Sequence, residues 1–257
     1  MLLTIDVGNT NSAIGVYQGN TLLGNWTFSM AQERSSDEIG ILLISILNYG
    51  GISPSQITAS IMCSVVPSAV YSVVNAINKY FNIDTLVIGP GIKTGINIKY
   101  ENPREVGADK IANAVGALKL YGGPVIIVDF GTATTFCAVN KKGDYLGGII
   151  CPGIKISSEA LFSMASMLPR IEITKPKHII GRTTVSSMQS GIVYGFTGQT
   201  DYIVNLMKNE MADDDIKVVA TGGMAKFIAY ESSTIDKVNP LLTLEGLKAV
   251  YQMNSNV

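Results

Sequence analysis

One histidine, His178, is all that this chain of 257 residues offers of the side chain most used for zinc ligation and acid–base work, and it lies in a loop-like stretch preceded by Lys175-Pro176-Lys177. A His-based triad or zinc site has almost no material. Cysteine is nearly as scarce. Cys63, Cys137 and Cys151 are odd in number, lack CxxC spacing and sit in apolar runs, so they read as reduced core residues rather than a disulfide framework. No Lys/Arg run stands out: 19 basic and 20 acidic residues are scattered and sum to −1, which argues against nucleic acid as a partner. No apolar run reaches the roughly 18 residues of a membrane span, and the first residues enter a strand at once, leaving no room for a charged leader. A soluble, cytoplasmic protein without a membrane partner is expected. Neither GxxxxGK[ST] nor a GxGxxG following a strand occurs, which excludes P-loop and Rossmann nucleotide sites. Asp213-Asp214-Asp215 lacks the spacing of a calcium loop and reads as a solvated turn.

What is present is core material, at 47% hydrophobic residues, enough for one large domain or two of about 100 to 150 residues. The chain opens on an apolar strand running into Asp6-Val7-Gly8-Asn9-Thr10-Asn11-Ser12. Val128-Asp129-Phe130-Gly131-Thr132-Ala133-Thr134-Thr135 repeats that order of strand, Asp, apolar residue, Gly and hydroxyl-rich turn. Hairpin signals follow both: Gln18-Gly19-Asn20 after the first, Lys142-Gly143 after the second. Ser35 with Glu38 forms a capping-box pattern ahead of a helix stopped by Gly50-Gly51. Pro67 fits the first turn of a helix reaching about Phe81. A strand at Thr85 to Ile88 leads to Gly89 to Arg104, read as a loop over a site, and a helix runs from Gly107 to Gly122. Later helices are expected at Gly153 to Met167, Ser186 to Met211 and Leu244 to Tyr251, with a strand at Ile216 to Ala220. Gly191, Gly195 and Gly198 in the long helix want a packing reason, against either the sheet or a second copy of the chain. The repeat predicts a duplicated α/β fold, with one subdomain over residues 1–115, the other over 116–257, and a nucleotide cleft between them.

Polyphosphate binding needs backbone N–H groups, hydroxyl donors and a cation held by carboxylate or water. Gly8, Asn9, Thr10, Gly131 and Thr132 supply such turns, while Asp6 and Asp129 at strand ends can hold Mg²⁺ or a monovalent ion. A single Asp-x-Gly turn is an ordinary tight turn; the paired occurrence carries the signal. Asp109, in the first turn of its helix, has the position of a catalytic base whose ionised form the helix's positive end favours. Phosphoryl transfer asks such a group only to orient the acceptor hydroxyl and take its proton late. Lys110 beside it can meet an anionic acceptor or stand simply as a solvated lysine.

Five ordered stretches together resemble the type III pantothenate kinases: Asp6-Val7-Gly8-Asn9-Thr10, Gly107-Ala108-Asp109-Lys110, Asp129 to Thr135, Gly147 to Gly153 and Thr221-Gly222-Gly223. Gly95, Tyr100, Pro103 and Gly181-Arg182-Thr183-Thr184 also match. The resemblance implies a duplicated actin-like (ribonuclease H-like) fold of the acetate and sugar kinase superfamily and transfer of the ATP γ-phosphate to pantothenate. It implies that Asp6, Val7, Gly8, Asn9, Thr10, Asn11, Ser12, Gly131 and Thr132 hold ATP phosphates, with Mg²⁺ at Asp6 through water. Asp129 would hold K⁺ or NH₄⁺, Asp109 would be the base, and Thr221, Gly222 and Gly223 would lie near adenosine. Tyr100, Gly107, Ala108, Asp109, Lys110 and Thr184 would contact pantothenate, in a homodimer. The family usually carries arginine where this chain has Lys110; lysine keeps the charge and loses the planar fork. Two other readings stand beside this one: a same-fold kinase for another small hydroxy or carboxylate acceptor, and a catalytically silent nucleotide-binding regulator.

Overall fold

The computed structural model describes residues 1–29 and 34–255. In chain order the elements are β1 (Leu2–Val7), β2 (Asn11–Gln18), β3 (Thr21–Ser29), α1 (Ser36–Tyr49), β4 (Ala59–Ser64), α2 (Pro67–Phe81), β5 (Thr85–Val87), β6 (Asn97–Ile98), α3 (Ala108–Tyr121), β7 (Val125–Phe130), β8 (Ala133–Val139), β9 (Asp144–Pro152), α4 (Ile154–Met164), α5 (Thr184–Met211), β10 (Lys217–Thr221), α6 (Ala225–Ala229), β11 (Lys237–Val238) and α7 (Leu242–Asn254). Two compact units result: Met1–Ile96 with Glu101–Lys119 and Leu241–Val257, and Asn97–Tyr100 with Leu120–Pro240. Where the sequence suggests one boundary between residues 115 and 116, the units interleave, because the C-terminal helix belongs with the first.

In the first unit the sheet order is β3-β2-β1-β4-β5, with β1–β2–β3 antiparallel and β4 and β5 added in parallel. Strand alternation sends Leu3, Ile5 and Val7 to one face, where they pack with Ile39, Leu43 and Leu47 of α1 and Val73 and Ile77 of α2. α1 starts as expected: Ser35 Oγ accepts from Glu38 N while Glu38 Oε2 accepts from Ser35 N at 2.8 Å. α2 has Pro67 at its first position and ends on Asn82 in the left-handed region, φ 54°. The other face carries Ile61 and Cys63 against Ala112 and Val115 of α3 and Leu244, Leu247 and Val250 of α7. α3 and α7 touch backbone to backbone: a Cβ at Gly116 would stand 2.7 Å from the Leu242 carbonyl oxygen, and one at Gly246 would overlap the Ala112 carbonyl.

The second unit repeats the plan. Its sheet, β11-β10-β7-β8-β9-β6, has β7–β8–β9 antiparallel and β10 and β11 added in parallel, so β7 to β11 follow the order of β1, β2, β3, β4 and β5. Even the irregularities correspond, with register shifts between Val16 and Tyr17 and between Ala138 and Val139. Ile126, Val128 and Phe130 pack with Ile154 of α4, Ile192, Val204 and Met207 of α5, and Ala225 and Ile228 of α6. Gly89 to Arg104 is more than the expected loop, since Asn97 and Ile98 pair in parallel with Asp144 and Tyr145 to form β6. α6 and β11, five and two residues long, are too short to give a periodic signal. A Cβ at Gly191, Gly195 or Gly198 of α5 would meet nothing within 4 Å among the described residues, so the expected packing against the sheet is not seen at these glycines. Cys63 and Cys137 are buried and Cys151 half-buried, and none of the three is in a disulfide among the described residues. Among the described residues no helix is long and apolar enough to cross a membrane.

Candidate functional site

In the first unit, β1 delivers Asp6 near its carboxyl end, on the sheet face covered by α3 and α7. Val7 pairs with Ser12 across the β1–β2 hairpin, and Gly8 N donates to Asn11 O at 3.2 Å to close the turn. Asn9, Thr10 and Asn11 are exposed at its tip, whereas Ser12 is fully buried with its hydroxyl unpartnered among the described residues. Asp6 is half-buried, and its Oδ1 accepts a hydrogen bond from Cys63 Sγ at 3.3 Å. Loss of hydration pushes the Asp6 carboxyl up from 3.8 to about 6; the thiol bond opposes that rise and the nearby Asp109 charge adds to it. Asp6 and Asp109, distant in sequence, therefore share one electrostatic environment.

Asp109 sits in the first turn of α3, where its Oδ1 accepts from Lys110 N at 2.8 Å. Gly107 leaves room for this: a Cβ there would collide with the same carboxylate oxygen. The helix's positive end was expected to favour the ionised form. The net displacement is upward instead, because burial outweighs the backbone hydrogen bond and the Lys110 charge. A carboxylate so displaced is a better proton acceptor than a solvated aspartate. Ala108 and Lys110 flank it, both half-buried.

The second unit carries the equivalent turn. Phe130 pairs with Thr134, Gly131 N donates to Ala133 O at 3.1 Å, and Gly131 and Thr132 are exposed. Thr134, which occupies the place of Ser12, is likewise fully buried with an unpartnered hydroxyl among the described residues. Asp129 lies beside Thr221 in the β7–β10 register, and Gly222, at φ 90°, turns the chain against it. A Cβ at Gly222 would stand 2.5 Å from Asp129 Oδ1, so a side chain there would push into the carboxylate. Gly223 is exposed nearby. Gly153 packs on the Thr132 carbonyl and starts α4 beside the turn. Tyr100, 37% exposed, lies over Gly147, and Lys99 N donates to Tyr145 O at 2.8 Å, so β9 positions it. Thr184 opens α5 just after the Thr183 cap, lining a cavity of about 950 Å³ with Arg182, Ser187, Met188, Leu161 and Leu168.

The first unit thus groups Asp6, the Gly8 turn, Cys63, Gly107, Ala108, Asp109 and Lys110. The second holds Asp129, the Gly131 turn, Thr221 to Gly223, Tyr100 and Thr184. Cys63 carries no local signal of its contact with Asp6 and looks like any apolar-strand cysteine until β4 is aligned with β1.

Solved structures share the fold. A Campylobacter jejuni protein assigned to the Baf family of transcriptional activators superposes with TM-score 0.61 at 19% identity, covering 99% of this chain and 100% of the other. A Sinorhizobium meliloti protein assigned as a 2-dehydro-3-deoxygalactonokinase gives 0.62 at 11% identity, covering 98% and 96%. The ROK hexokinase of Thermus thermophilus gives 0.53 at 11%, covering 98% and 99%. With two repeated α/β units, the chain has the duplicated actin-like fold of the sugar kinases. A model of the type III pantothenate kinase family matches residues 2–206, a span containing β1, both glycine turns and Asp109. The chain belongs to the type III pantothenate kinase family.

Proposed function

We propose that the protein transfers the γ-phosphoryl group of ATP to the primary hydroxyl of pantothenate, giving 4′-phosphopantothenate and ADP in the first step of coenzyme A biosynthesis. The observation that carries this reading is Asp109, a desolvated carboxylate fixed by Lys110 N at the start of α3 and electrostatically coupled to Asp6. In the reaction the hydroxyl oxygen bonds to the γ-phosphorus, the bond from that phosphorus to the β–γ bridging oxygen breaks, and the hydroxyl proton passes to Asp109.

The Asp6 to Ser12 turn and Gly131-Thr132 would hold the phosphates. Thr221-Gly222-Gly223 would face adenosine, and Tyr100, Gly107, Ala108, Lys110 and Thr184 would contact pantothenate. Mg²⁺ is bound in such enzymes through one or two carboxylates, water and phosphate oxygens, and the single Asp6 carboxylate with one oxygen engaged by Cys63 fits that donor set. The ion would offset charge on the transferring phosphoryl group. Asp129 would take K⁺ or NH₄⁺.

The decisive assay is coupled ADP release with a panel of small hydroxy acids and sugars, with and without K⁺. Turnover with pantothenate, raised by K⁺, is expected. Turnover on a different acceptor alone would overturn the substrate, and nucleotide binding without turnover on any acceptor would mark a silent relative.

The chain is also proposed to work as a homodimer. Gly191, Gly195 and Gly198 form an exposed face of α5 where an added Cβ would meet nothing within 4 Å among the described residues, and Leu161, Phe162, Met164 and Val185 in the same unit are exposed apolar side chains. Sedimentation at twice the chain mass is the expected result; a monomer at micromolar concentration would refute it.

A further inference from the structure

Cys63 belongs to β4, and the β1–β4 register pairs it with Asp6, so both side chains rise from the same sheet face. It is fully buried, packed in the cluster that includes Ile61, Val115, Leu244 and Leu247. Its thiol therefore sits among apolar groups and donates to Asp6 Oδ1 at 3.3 Å. A carboxylate at a strand end can turn about its terminal torsion, which is broad and roughly two-fold. A donor anchored in the neighbouring strand restricts that freedom and commits one oxygen, so that Oδ2 is the oxygen left for a cation or phosphate-bound water.

We propose that Cys63 is a positioning residue for nucleotide binding, orienting the Asp6 carboxylate through its thiol. The proposal rests on the reading of Asp6 as part of the Mg²⁺–ATP site. It assigns Cys63 no contact with the substrate. The residue acts through Asp6, so its loss should be felt by Mg²⁺–ATP and not by the acceptor.

The test compares Cys63→Ser, which keeps a donor, with Cys63→Ala, which removes it. Both shrink the side chain, and serine adds the cost of a buried hydroxyl, so serine should be the less stable of the two if packing alone matters. Nucleotide affinity should rank the other way. For full-length protein titrated with a fluorescent ATP analogue in the presence of Mg²⁺, Cys63→Ala is expected to bind about tenfold more weakly, and Cys63→Ser within about threefold of the parent, as for a hydrogen bond to a charged acceptor. In steady-state assays with active acceptor, the KM for ATP should follow the same order while the acceptor KM stays put. Thermal melts of both variants run alongside. Equal affinity of Cys63→Ala and Cys63→Ser, or affinity that tracks melting temperature, would overturn the positioning role. A parent protein that binds the analogue but turns over no pantothenate would defeat the acceptor assignment and leave this test intact. A parent that binds no nucleotide would defeat both.

Discussion

Asp109→Asn is expected to lower kcat by about 10² to 10⁴, the range for removing a positioned general base, while Mg²⁺–ATP binds with near-parental affinity. The asparagine is isosteric, and its carbonyl oxygen can still accept from Lys110 N, so α3 should start as before. What disappears is the proton acceptor and the charge that opposes Asp6. The separation of effects matters more than their size. Loss of kcat with intact nucleotide binding places the residue in the chemical step; loss of both would mean that the substitution disturbed the Asp6 turn, and near-normal turnover would remove Asp109 from the base role.

The second large effect runs in the opposite direction. Asp6→Asn should make the ligand-free protein more stable at pH 8 by up to about 3 kcal/mol, at 1.36 kcal/mol for each pH unit of displacement. The folded-state value of about 6 lies above the usual 3.8, so the stability tied to this group is fully present below 3.8 and is lost as pH rises through 6. Above that window the native state holds a desolvated charge that the unfolded chain would leave in water. Asparagine carries no such charge and still accepts from Cys63. Urea unfolding of parent and variant without Mg²⁺ or nucleotide, at pH 4, 6 and 8, should show the curves converging at pH 4 and separating by pH 8. A parent as stable as the variant at pH 8 would contradict this. The Asp109 carboxyl is displaced in the same direction, so both groups favour site chemistry over stability of the empty protein.

Much of this was readable in the chain because it is written locally. The Ser35–Glu38 capping box, Pro67 at the head of α2 and the two hairpin turns each lie within a few residues, and each specifies backbone geometry by itself. The paired Asp-x-Gly turns exposed the duplication for the same reason. What the sequence concealed depends on register between distant strands or on who covers whom. Cys63 meets Asp6 across 57 positions only because β4 adds in parallel to β1 with that alignment. The upward displacement of Asp109 comes from burial, which overrides the local helix-end effect that the sequence does announce. A helix is expected over Leu244 to Tyr251, yet no local signal says which sheet receives it.

That last placement has a consequence for how the protein is made. Synthesis runs from β1 onward, and α7, which covers the same face of the first sheet as the Asp109-bearing helix α3, follows every element of β7 to β11 in the chain. Domains ordinarily fold as they leave the ribosome, amino-terminal unit first. Here the amino-terminal unit stays unsealed until the second is complete, because Gly246 must lie against Ala112 and Gly116 before α3 has its full packing. The proposed base therefore acquires its desolvated setting only once α7 has been made, and a chain cut short before α7 would display its turns without the helix that packs on α3.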